Sequence, residues 1–115
     1  MDDFSQQQGE VYVRAVAAMP EGLEPVTADR GRVIVAHSES GHHHALDAEC
    51  VTVMERTRDV PAGLRILYAI VREPTALSQD AATPHEAMPL APGIYEMRVA
   101  REFDPFAEQA RRVAD

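Results

Sequence analysis

The most apolar stretch of the sequence is Leu64-Arg65-Ile66-Leu67-Tyr68-Ala69-Ile70-Val71. Its β-branched and aromatic residues favour a strand, and a continuous apolar run of this length is typical of the centre of a sheet. The run follows the turn-forming segment Val60-Pro61-Ala62-Gly63 and ends before Pro74. We therefore expect residues 64–71 to form a central strand of a β-rich domain.

Further strand-like runs lie on both sides of this central strand. They occupy residues 10–16, 32–36 and 50–55, and another run follows Gly41. Pro and Gly separate them at short intervals, which leaves no room for long helices between strands. Residues 74–93 are rich in proline, and we expect them to be mostly irregular, with one edge strand near His85.

Residues 94–103 show the clearest alternation of apolar and polar side chains. A strand with this pattern is half-buried, because successive side chains point to opposite faces of the sheet. The face expected to be buried carries Tyr95, Met97 and Val99, and the opposite face carries Glu96, Arg98 and Glu102.

Six or seven short strands predict an all-β chain, either a small β-barrel or a jelly roll. A β-sandwich or a β-clip is the alternative. Asp104 and Pro105 can begin a short C-terminal helix over residues 106–113. We expect one domain over residues 1–115, with residues 1–8 as a flexible tail.

Composition excludes several classes of partner and location. The chain has 115 residues and a net charge of -8, so it lacks the basic surface that nucleic-acid binding needs. It has no apolar run long enough to span a membrane. A single cysteine, Cys50, cannot form an internal disulfide, which favours the cytoplasm.

Histidines provide the most informative local feature. Four of the five lie in His37-Ser38-Glu39-Ser40-Gly41-His42-His43-His44. In a strand, His42 and His44 would share a face with Leu46, and that face should point inward. His43 would lie on the opposite face, where we expect it to be exposed. A solvated, His-rich loop is the alternative interpretation.

Two buried imidazoles need partners for their ring nitrogens, and a divalent metal ion is one such partner. The sequence predicts a site formed by His42 and His44, with His85 returning from the proline-rich segment and Glu49 as a fourth ligand. Zn, Mn, Fe and Ni all accept imidazole and carboxylate ligands, so the identity of the ion stays open.

The spacing His42-x-His44-x4-Glu49 is similar to the first motif of the cupins. In cupins, two such histidines and the glutamate, together with a later histidine, hold a divalent metal inside a β-barrel. The resemblance implies a cupin-like barrel in which His85 is the later ligand. Ala36 and Arg56 stand where that motif has glycines.

A second resemblance covers more of the chain. Its matching stretches are Gln8-Gly9-Glu10-Val11, Met19-Pro20-Glu21-Gly22, Leu90-Ala91-Pro92-Gly93-Ile94-Tyr95-Glu96-Met97, and the segment from Val35 to His44 with its Ala-His-Ser-Glu-Ser-Gly-His-His-His run. These stretches resemble a group of small uncharacterised bacterial and prophage proteins. The resemblance implies a bacterial origin and supplies no activity.

Two functions therefore stay open. In the first, a small β-barrel binds a divalent metal, and a free coordination position could also take a small-molecule ligand. Whether it is an enzyme is left undecided, and we name no reaction, because no separate acid or base stands out. In the second, the chain is a non-enzymatic, acidic interaction module that can form homo-oligomers.

Overall fold

The computed structural model of this protein describes residues 4–37, 43–79 and 87–100. The strands in these residues are β1 (Ser5–Gln8), β2 (Val11–Val16), β3 (Glu24–Pro25), β4 (Arg32–Ala36), β5 (His44–Asp47), β6 (Val51–Arg56), β7 (Leu64–Val71), β8 (Thr75–Gln79), β9 (Met88–Leu90) and β10 (Gly93–Ala100). No helix in these ranges is long and apolar enough to cross a membrane. The prediction of an all-β chain is confirmed.

The strands form two antiparallel sheets. One sheet has six strands in the order β1-β2-β10-β7-β6-β3, and the other has four in the order β4-β5-β8-β9. The predicted central strand, β7, lies between β10 and β6, and all eight of its residues pair with β10. Its apolar composition fits this position, because the side chains of β10 and β6 flank those of β7 on both faces of the sheet, and five of its eight residues are buried.

One hydrophobic core joins the two sheets. Leu67 and Met97 of the six-stranded sheet belong to the same buried cluster as Val35 and Leu77 of the four-stranded sheet. All four side chains are inaccessible to water. Burial of apolar surface at this interface contributes roughly 25 cal/mol for each Å² removed from water.

The prediction of a closed barrel is wrong for the described strands, because they form two separate sheets. Proline helps to explain why two of the four edge strands pair with no further strand. Pro25 lies in the two-residue strand β3, and Pro89 is the middle residue of β9. Since proline lacks a backbone N–H, it cannot donate a hydrogen bond to a further strand. The two-sheet arrangement agrees with the β-sandwich alternative, and a cupin-like jelly roll stays a prediction.

The expected alternation in β10 is confirmed for the buried face. Tyr95, Met97 and Val99 are all buried in the core. The boundaries of β4 and β7 also coincide with the predicted runs. Residues 74–93 differ, since they contain β8 and β9. In β8 only Leu77 is buried, so the sequence of this strand lacks the apolar alternation from which a strand can be predicted.

For both ends of the chain the sequence predicts a segment outside the sheets. The prediction of a flexible tail is wrong for Ser5–Gln8, which form β1 and pair with β2 in the register Gln8↔Val11. Gln8 is 5% exposed, so this edge strand reaches the core. The predicted C-terminal helix over residues 106–113 lies outside the described residues.

Candidate functional site

Of the four predicted metal ligands, the structure describes His44 and Glu49. His44 is the first residue of β5, and its side chain is completely buried, on the inward face that it was expected to share with Leu46. Glu49 is exposed in the turn beyond the other end of β5. A strand rises about 3.3 Å per residue, so the structure does not bring these two side chains together. His42 and His85 lie outside the described residues.

Gln8 holds one nitrogen of the buried imidazole. Its side-chain Nε2 donates a hydrogen bond to the carbonyl oxygen of Leu77 at 2.9 Å, which fixes the orientation of the amide. Its Oε1 therefore faces His44 Nδ1, at 2.7 Å. Because an amide oxygen can only accept, Nδ1 of His44 carries a proton. The second ring nitrogen, Nε2, is thus the one available for other chemistry.

A carboxylate lies beside this second nitrogen. Nε2 of His44 is 3.3 Å from Oε2 of Glu10, whose side chain is 31% exposed. The contact lacks the geometry of a hydrogen bond, and no other group in the described part of the chain bonds this buried atom. An imidazole nitrogen and a carboxylate oxygen therefore lie close together without pointing at each other.

Gly9 permits this approach. It has φ +56°, a left-handed conformation that glycine adopts without strain, and it forms the turn between β1 and β2. A Cβ at this position would lie 3.2 Å from both Nε2 and Cε1 of His44. Any larger residue would therefore press on the edge of the imidazole that faces Glu10.

The arrangement has the chemistry of part of a metal site. Two ligands of a tetrahedral ion, each bound at about 2.1 Å, lie about 3.4 Å from one another, close to the separation seen here. A ligating histidine usually donates its other N–H to an oxygen atom, and Gln8 Oε1 accepts it here. The described residues contain no group of three or more histidine, cysteine or acidic side chains that could hold an ion.

Sequence reasoning missed Gln8, Gly9 and Glu10. Gln8 was missed because residues 1–8 were expected to form a tail. The pairing of β1 with β2 brings the turn at Gly9 and Glu10 next to the imidazole of His44. The stretch Gln8-Gly9-Glu10-Val11 drew attention only through its expected resemblance to small bacterial proteins, which stays a prediction.

A second pair of imidazoles lies on the neighbouring strand ends. The rings of His37 and His43 meet edge to face, with centroids 5.0 Å apart. Burial lowers the pKa of His37, and the nearby His43 and Arg65 lower it further. His43, which we expected to be exposed, is half-buried.

The outer face of the six-stranded sheet carries a buried carboxylate, Glu96, which is 4% exposed. Arg14 donates to it from Nε at 3.0 Å and from Nη2 at 3.2 Å, and Arg98 donates from Nε at 2.8 Å. The hydroxyl of Tyr68 donates at 2.9 Å. Burial alone would raise the pKa of Glu96, but these hydrogen bonds outweigh it and lower the pKa to about 2. Burial, followed by the bond to Glu96, raises the pKa of Tyr68.

Comparison with known proteins gives a family and no activity. No curated protein and no solved structure matches this chain. A family profile described as a domain of unknown function, DUF8820, matches residues 7–100, which include the β1–β2 turn, His44 and Glu96. Since the match covers most of the sequence, the chain belongs to the DUF8820 family.

Proposed function

We propose that this domain binds a divalent metal ion and that Nε2 of His44 and the carboxylate of Glu10 are two of its ligands. One observation carries the proposal: a completely buried imidazole has its Nδ1 proton committed to Gln8 while its Nε2 lies 3.3 Å from a carboxylate oxygen. Buried polar atoms normally have partners, and an ion between these two atoms would supply one.

A protonated imidazole would be the other way to satisfy this pair. His44 would then be an imidazolium ion that forms an ion pair with Glu10, and the site would have no further ligand. The absence of hydrogen-bond geometry between the two described side chains favours the ion, because a direct N–H···O contact should be well aligned.

The remaining ligands of the proposed site stay as the sequence predicts them. His42 and His85 are the imidazoles that we propose to complete it, with Glu10 in the role first expected for Glu49. Zn, Mn, Fe and Ni are the ions that fit such a set. We propose binding and name no reaction. We also retain the cupin-like fold, the bacterial origin and the cytoplasmic location as proposals.

The test is a metal titration of the full chain, purified without a tag and stripped with chelator. We expect one ion per chain by plasma mass spectrometry and a higher melting temperature on adding Zn²⁺, Mn²⁺, Fe²⁺ or Ni²⁺. An ion present at 100 times its dissociation constant stabilises the folded state by about 3 kcal/mol. If none of these ions binds and the melting temperature does not move, the proposal fails.

Variants separate the ligand assignment from general damage to the fold. Glu10→Gln keeps the size of a partly exposed side chain and removes its charge, so it should weaken binding at least tenfold in a folded protein. His44→Ala and His42→Ala should each abolish stoichiometric binding. His43→Ala and Glu49→Gln are the matched controls and should leave binding unchanged. Equal losses at His42, His43 and His44 would indicate loose chelation by the histidine-rich segment instead.

A further inference from the structure

A groove of about 550 Å³ lies on the outer face of the six-stranded sheet, over β1, β2 and β10. Tyr12 and Arg14 of β2 alternate with the buried Val11 and Val13, so they face away from the core that contains His44. The groove is therefore separate from the proposed metal site. Its lining consists of Ser5, Gln6, Gln7, Tyr12, Val13, Arg14, Glu96 and Arg98.

Glu96 fixes the two cations of this groove in place. Arg14 uses Nε and Nη2 to bind both carboxylate oxygens, whereas Arg98 uses only Nε. Both terminal nitrogens of Arg98 make no hydrogen bond within the described residues, and its side chain is 48% exposed. The guanidinium of Arg98 is thus anchored through its inner nitrogen while its outer edge, the fork that binds oxyanions, faces solvent.

The charge of the groove differs from that of the chain. Two guanidinium groups face one carboxylate, which leaves an excess of one positive charge in a protein with a net charge of -8. The other polar lining residues are the hydroxyl of Ser5 and the amides of Gln6 and Gln7, which are neutral. A ligand with one negative charge would balance the groove.

An exposed aromatic side chain lies on the strand next to Arg98. Tyr12 is the register partner of Arg98 across the β2–β10 pairing. It is 49% exposed and is the large apolar side chain that the described part of the chain leaves most open to water. Facing residues in an antiparallel pair have Cβ atoms about 5 Å apart, so one ligand can touch both the ring and the guanidinium.

We propose that this groove binds a carboxylate that is attached to an apolar group. The carboxylate would accept two parallel hydrogen bonds from the terminal nitrogens of Arg98, and the apolar group would pack on the ring of Tyr12. An organic acid in solution and an acidic side chain of a partner peptide present the same chemistry. The inference does not depend on the metal site.

The test is a ¹H–¹⁵N correlation titration of the full chain in chelator, with phenylacetate as the probe. We expect saturable shifts confined to residues of β1, β2 and β10. Phenylacetamide, which has the same shape without the charge, should bind at least tenfold more weakly. Equal binding of the amide, or tighter binding of inorganic phosphate, would overturn the proposal. A short peptide with one glutamate between apolar residues distinguishes the two sources of the carboxylate. Tighter binding of this peptide than of phenylacetate indicates a peptide partner, and weaker or equal binding indicates a free acid.

Variants identify the recognition groups. Arg98→Lys keeps the charge and loses the fork, and we expect it to weaken phenylacetate binding at least fivefold. Tyr12→Ala should weaken it to a similar degree, since this residue is exposed and its loss leaves the core intact. Arg30→Gln, which is exposed in the turn before β4 of the other sheet, is the control and should change nothing. Unchanged affinity in Arg98→Lys and in Tyr12→Ala would refute the assignment.

Discussion

Replacing Glu96 by glutamine tests whether the buried carboxylate stabilises the outer face of the six-stranded sheet. The pKa of Glu96 is lowered from its ordinary value of 4.5 to about 2. At about 1.4 kcal/mol per pH unit, this lowering corresponds to about 3 kcal/mol of folding free energy. Arg14 and Arg98 are half-exposed, so water screens both ion pairs, and we reduce the expected value to about 1–2 kcal/mol. The hydroxyl of Tyr68 keeps an acceptor in the glutamine oxygen.

The pH dependence of this contribution has a definite sign. Because the pKa of Glu96 is lower in the folded than in the unfolded state, its contribution is complete above about pH 4.5 and disappears as the pH falls toward 2. The wild type and Glu96→Gln should therefore differ in stability at pH 7 and converge at about pH 2.

Urea unfolding at several pH values between 7 and 2 measures the effect. At pH 7 we expect the midpoint of Glu96→Gln to lie below that of the wild type, with the melting temperature lower by about 5–10 °C. Glu24→Gln, which changes an exposed carboxylate at the sheet edge, is the matched control. A difference below about 0.3 kcal/mol at pH 7, or one that stays constant down to pH 2, would refute this account of the cluster.

Three further substitutions probe other contacts. Gly9→Ala should destabilise the fold by about 1–3 kcal/mol, since residue 9 has a left-handed φ and its Cβ would press on His44, and thermal unfolding measures the loss. Gln8→Leu should cost about 1–3 kcal/mol in urea unfolding, because it leaves the Leu77 carbonyl and the His44 Nδ1 proton without their partner. Arg65→Met removes hydrogen bonds to the carbonyls of residues 34 and 35 in the opposite sheet, and we expect urea unfolding to show a loss of about 1–2 kcal/mol in stability. Arg58→Met, at an exposed position between β6 and β7, is the control and should change the stability little.

The fold class could be predicted because it depends on local pattern. The alternation of Tyr95, Met97 and Val99 and the apolar run of β7 both encode strands directly. Whether the sheets close into a barrel depends on whether their edge strands pair with one another. The pattern of apolar and polar residues along a strand carries no information about that pairing. The prolines of β3 and β9 were visible in the sequence, but their position at sheet edges was not.

The site was predictable only in part, for a related reason. Leu46 correctly indicated that its face of β5, which includes His44, points inward, although Ala45 on the opposite face is buried as well. Its partner Gln8 lies 36 residues away, and only strand pairing brings the two together. Glu96 shows the same limit: alternation placed it on the outer face, but Arg14, which helps to bury it, is 82 residues away.

The position of β10 between β2 and β7 also determines when the six-stranded sheet can form. Val99 pairs with Val11 on one side and with Arg65 on the other, so strands from the first and middle parts of the chain share an edge with the last strand described. At a synthesis rate of about 5–20 residues per second, β10 is made on the order of ten seconds after β2. The edge of β2 that will face β10 is unpaired in that interval, and the corresponding edge of β7 is unpaired for only its last few seconds. Folding of this domain should therefore be slow, as non-local pairing requires, and the nascent chain is most prone to aggregation before β10 is inserted.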